Sequence, residues 1–131
     1  MERMKTILFY LGLASLLTHE LDAVTHSEWQ LLPFLRALAD EVASPLFVSM
    51  HVPLIFFVLW VSHHRKDSVR KMSRMVISGF LVLHAGLHSA LLVTPDYAFD
   101  GVLSNVLILS AGAFGVAYLV SDWRTRDSEP V

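Results

Sequence analysis

The stretch THELDAVTHSEW, residues 18–29, sets two histidines, two glutamates and one aspartate directly after the apolar run ILFYLGLASLL. Three more histidines stand inside apolar surroundings: His51 in HVPL, and His84 and His88 in HAGLH. Neutral imidazoles with one carboxylate are the ligand set that Zn²⁺ or Fe²⁺ prefers. His19, Asp22, His51, His84 and His88 are therefore the candidate metal ligands. Glu20 and Glu28 are the candidate catalytic groups, each able to act as a general base or to orient a ligating histidine. The chain has no cysteine, which excludes disulfides, thiolate metal sites and iron–sulfur clusters.

These groups need elements that hold them. The chain has 131 residues, 54% of them hydrophobic and only 17% charged, with a mean hydropathy of +0.54. A soluble domain of this length is less apolar. A membrane span needs about 20 mostly apolar residues, and four windows qualify: residues 6–25, 42–62, 75–94 and 102–121. The expected fold is a single all-α domain over residues 1–131, an integral membrane four-helix bundle. Residues 26–41 read as an amphipathic piece along the interface, with Trp29 as its anchor. Residues 63–74, HHRKDSVRKMSR, read as a basic loop, and residues 95–101, PDYAFDG, as an acidic turn. Arg3 and Lys5 precede the first run as in a signal peptide. The acidic, histidine-rich end of that run does not suit cleavage, so the run reads as a retained span.

Lys and Arg set the orientation. Arg3, Lys5, Arg65, Lys66, Arg70, Lys71, Arg74, Arg124 and Arg126 fall on one side, and only Arg36 on the other. By the positive-inside rule both termini are cytoplasmic. No aromatic residues interleave the basic run, so it reads as a topogenic and lipid-facing signal rather than a nucleic-acid site.

Depth and face bring the chemistry-bearing residues together. At about 1.5 Å per residue, His19 lies about 9 Å and Asp22 about 5 Å below the outer end of span one. By the same rise, His51 is about 13 Å into span two, and His88 and His84 are about 9 and 15 Å from the end of span three. Gly12, Ser15, His19, Asp22 and His26 step by three and four along one helix face. His84 and His88 stack at i and i+4, with Gly86 thinning the adjacent surface. Pro53 is expected to bend span two and free the carbonyl of Ser49 beside His51. Span four has Ser104 and Asn105 near its outer end and is rich in Gly, Ala and Ser further in, which suits a close-packing scaffold. A charged group at the bilayer centre costs roughly 2.5–3.5 kcal/mol on insertion scales, so this cluster must satisfy itself, and a metal does that well.

Plainer readings apply elsewhere. His26 and Glu28 lie near the outer surface, where water could satisfy them. His63 and His64 belong to the basic loop and read as solvated. Tyr97 and Tyr118 read as interface anchors.

The segments FYLGLASLLTHELDAVTHSEWQLLP, HVPL and HAGLH resemble a family of small, four-span bacterial membrane proteins of unknown function. The resemblance implies recurrent boxes at His19, Glu20 and Asp22, at Glu28 and Trp29, at His51 and Pro53, and at His84 and His88. It also implies a multi-pass protein of the bacterial inner membrane. A weaker similarity to membrane proteins named for an H-x-x-E-E motif breaks at Ala23, which stands where a second acid is required.

Four functions remain at this point. The first is a metal-dependent membrane hydrolase or oxidase acting on a lipid or another hydrophobic small molecule, with zinc or iron as cofactor. The second is a haem-binding electron-transfer subunit, with two histidines as axial ligands. The third is a proton or metal-ion carrier, which with four spans would need a homo-oligomer. The fourth is a scaffold without chemistry.

Overall fold

The computed structural model describes residues 2–93, 97, 99 and 101–127. Among them are four long helices and no strand. Helix α1 runs over Glu2–Thr25, α2 over Asp40–Ser62, α3 over Asp67–Leu91 and α4 over Val102–Asp127, with a short 3-10 turn at Glu28–Leu31. All four are long and apolar enough to cross a membrane. Large apolar side chains such as Val52, Phe56, Leu83 and Val106 point outward. An outer surface of this kind is what hydrocarbon, not water, would cover.

Helices α1, α3 and α4 pack tightly because small residues let their backbones approach. A Cβ on Gly112 would stand 2.6 Å from Cβ of Ala85, and one on Gly115 would stand 2.7 Å from the carbonyl oxygen of Ser78. One on Gly12 would meet Leu81 at 2.7 Å. Nothing lies within 4 Å of the corresponding position on Gly86, so that residue makes no close approach. Helix α2 stands further off, with only 11% of its apolar window buried.

The start of α1, the end of α4 and the α2–α3 connection share one end of the bundle. There the ammonium of the buried Lys5 reaches Asp122 at 3.1 Å. Arg74 lies over the rings of Phe9 and Tyr10, at 5.2 and 5.5 Å from their centroids. Tyr118 is buried in this core. His63 donates from Nδ1 to the carbonyl of Leu59, so its Nε2 accepts the hydroxyl of Tyr10 at 2.6 Å.

Two connections differ from expectation. Helix α3 begins at Asp67, so much of the expected basic loop is helical. Hydropathy marks where hydrocarbon begins, not where helical hydrogen bonding begins. Asp67 pairs with Arg70 and Lys71 at i+3 and i+4, which supports that first turn. Residues 26–39 form the 3-10 turn and further turns, and Trp29, expected as the interface anchor of this piece, is buried. Trp29 and Leu35 fold inward into a core cluster with Phe47, Ala85 and Phe99. The Trp29 indole N–H donates to Asp40 at 3.0 Å. The expected end of span three at Thr94, and Asp96 and Asp100 of the acidic turn, lie outside the described residues.

Candidate functional site

The end of the bundle opposite the Lys5–Asp122 pair gathers three of the histidines. His19 comes from α1, and His84 and His88 come from one face of α3, a helical turn apart. One ring nitrogen from each lies within 4.8 Å of the others. The ring centroids are 5.1 Å apart for His19–His84, 5.0 Å for His19–His88 and 4.4 Å for His84–His88. His19 is fully buried and His88 is nearly so.

Glu28 closes the group. After α1 ends, Ser27 adopts a left-handed backbone at φ 56°, which is uncommon outside glycine. That reversal begins the 3-10 turn, whose first residue, Glu28, sits over the triad. Its two carboxylate oxygens stand 3.6 Å from Nε2 of His19 and 3.6 Å from Nε2 of His88. Burial pushes the Glu28 carboxyl up. Contact with His88 and the fields of His19, His88 and His84 outweigh that and hold it below its ordinary value.

A second layer fixes the first. His88 Nδ1 lies 2.6 Å from the Tyr97 hydroxyl. The Tyr97 phenol is pushed up to about 12 by burial and by the charge of Glu28, so it keeps its proton. Phe99 covers the group, its ring 5.5 Å from His19 and 5.3 Å from His88. Asn105 donates to the carbonyls of Phe99 and Gly101, at 3.3 and 2.9 Å, and so anchors this connection. Tyr97 is thus a partner of the site, not the interface anchor its sequence position suggests. Nothing in the spacing of PDYAFDG marks it.

The other expected ligands go elsewhere. Asp22 accepts a short hydrogen bond from Ser104 of α4 and lies 3.4 Å from Nδ1 of His26. His26 Nδ1 also donates to the Asp22 carbonyl at 2.9 Å. His51 donates from Nδ1 to the Phe47 carbonyl at 2.8 Å, not to that of Ser49. With Nδ1–H so engaged, His51 Nε2 shares one proton with Glu20, whose Oε2 is 2.9 Å away. Glu20 is therefore the partner of His51, and Glu28 is the acid beside the triad.

The donors suit a cation. Among the described residues, both ring nitrogens of His19, Nε2 of His84 and Oε2 of Glu28 are buried without a hydrogen-bond partner. Each such atom costs about 1–3 kcal/mol if left unsatisfied. Ligand atoms about 2.0–2.2 Å from a tetrahedral ion stand roughly 3.3–3.6 Å from one another. The two Nε2–carboxylate separations of 3.6 Å match that spacing and exceed a hydrogen bond.

The chain belongs to the DUF6713 family. The match runs over residues 5–125, and the function of that family is unknown. No curated protein and no solved structure matches the chain.

Proposed function

We propose that this DUF6713 protein is a multi-pass metalloprotein of the bacterial inner membrane, with both termini in the cytoplasm. His19, His84 and His88 hold a Zn²⁺ or Fe²⁺ ion in the outer half of the bilayer, with Glu28 as fourth ligand or adjacent base. The site acts on a lipid or another hydrophobic small molecule. The observation that carries this reading is the set of buried, unpartnered donor atoms on His19, His84 and Glu28 at one point. The three rings crowd together, His19 edge-on to the other two and the tilted His84–His88 pair with centroids 4.4 Å apart, which favours a small ion over a porphyrin plane between facing histidines.

Such an ion, when bound, polarises a substrate oxygen or a water. The chain's own groups do the rest. Tyr97 fixes the ring and tautomer of His88. Phe99 and the fold of Trp29 and Leu35 keep bulk water out. The Glu28 carboxylate lies within reach of a proton released at the three imidazoles.

Elemental analysis of the detergent-purified protein tests the reading. About one equivalent of zinc or iron is expected, lost in His88→Ala and His84→Ala and kept in His51→Ala, because His51 is committed to Glu20. Folded protein free of metal, or equal loss in all three variants, overturns it.

A further inference from the structure

Beside the triad, α1, α2 and α3 enclose a groove of about 300 Å³. Its walls are Leu13, Leu17, Ile55, Val58, Ile77 and Phe80, and its polar groups are Glu20 and His51. We propose that this groove binds a lipophilic molecule with a single chain or ring and one hydrogen-bonding oxygen at its head, held by the Glu20–His51 pair. That this molecule is the substrate rests on the metal-site reading above; that it binds does not.

Three observations carry the assignment. The volume lies at the small end of the range of about 300–1,000 Å³ for ligand sites. It suits one chain better than the two of a phospholipid. The groove is open at its side, where Leu54 and Val76 are more than half exposed. A ligand therefore arrives from hydrocarbon rather than from water. The polar pair is not sealed, since the side chains of Glu20 and His51 keep 21% and 19% of their surface. The one shared proton lies between Nε2 and Oε2, so the other Glu20 oxygen can accept from a hydroxyl. An apolar chain with a polar head matches this lining, and a purely hydrocarbon ligand would leave the pair unmet.

The groove also reaches the metal ligands. The Phe80 ring in its wall lies 5.7 Å from the ring of His84. Glu20 lies within the electrostatic reach of Glu28 and His88. The chain of a bound ligand lies between α2 and the rest of the bundle, and Phe80 is where the groove meets the triad. The loose seat of α2 leaves that space.

The test is photolabelling of the full-length protein in phospholipid nanodiscs, with a long-chain fatty alcohol that carries a diazirine in its chain. A diazirine phospholipid serves as the comparison probe. Label from the alcohol is expected within residues 13–20, 51–58 and 76–80, and excess unlabelled alcohol should compete it away. Ile55→Trp or Ile77→Trp fills the groove and should reduce that label to the level found on the outward face of α4. Glu20→Gln should weaken competition about tenfold, the loss expected from one charge-assisted hydrogen bond. The phospholipid should label outward residues such as Val52 and Leu83 and spare the groove. Metal content and thermal melting, measured on each variant, report folding and the triad separately. Uniform labelling by the alcohol, or labelling unchanged in both folded tryptophan variants, overturns the proposal. Groove labelling in a protein that holds no metal would keep the ligand site and sink the metal reading alone.

Discussion

Tyr97→Phe isolates one hydrogen bond behind the proposed ligand set. The hydroxyl lies 2.6 Å from Nδ1 of His88, and the ring is buried 5.5 Å from Phe99. Phenylalanine keeps the ring and its packing and removes only the oxygen. When His88 ligates through Nε2, its Nδ1 must carry the proton and donate it. Without Tyr97 that N–H is left buried and unmet, at about 1–3 kcal/mol. Loss of an outer partner of a ligating histidine typically weakens metal binding 10–100-fold, or about 1.4–2.7 kcal/mol. The two routes agree, so zinc affinity should fall by one to two orders of magnitude. Competition against a chromophoric zinc chelator measures it. Melting of both proteins in excess chelator separates the effect on the metal-free fold. Affinity equal to that of the unsubstituted protein would refute the reasoning, because His88 would then not be held through Nδ1.

Other outcomes follow from the same contacts. Gly115→Ala drives a Cβ to 2.7 Å from the Ser78 carbonyl, which is backbone and cannot swing aside. It should destabilise the bundle by about 1–3 kcal/mol, whereas Gly86→Ala, with nothing within 4 Å, should be neutral or gain up to about 1 kcal/mol. Thermal melting in one detergent compares the pair, and equal melting points would contradict the packing described. Acidification should release the metal, because protons compete with it for the imidazole nitrogens. Occupancy that acid leaves unchanged would exclude histidine ligation. In the chelated protein, the depressed Glu28 carboxyl contributes stability that is full above its ordinary value of 4.5 and lost as pH falls through its lower folded value. Glu28→Gln should remove that acid-side slope from a pH series of melts.

Much of this arrangement is written in residue spacing. Steps of three and four place Gly12, Ser15, His19 and Asp22 on one face of α1, and that face packs on the rest of the bundle. The i, i+4 spacing of His84 and His88 puts both rings on one side of α3. Periodicity stops at helix ends, and the remaining features depend on what happens there. The choice of Glu28 over Asp22 depends on the left-handed turn at Ser27, a serine with no glycine to announce it. Asp22 is drawn off by Ser104, a contact between residues 82 apart in the chain. His51 lies on α2, which stands away from the core, and Glu20 meets the ring first. Tyr97 lies in a connection whose path no hydrophobic pattern fixes. The start of α3 at Asp67 was hidden because charged residues within one helix read as a loop on a hydropathy scale.

X-ray absorption at the edge of the bound metal reads the proposed centre most directly. Three imidazole nitrogens and one oxygen at about 2.0–2.2 Å are predicted, with no metal edge above background in His88→Ala. In the unsubstituted protein, a shell of oxygens alone, a porphyrin signature, or no metal above background would contradict the assignment of His19, His84 and His88 as its ligands.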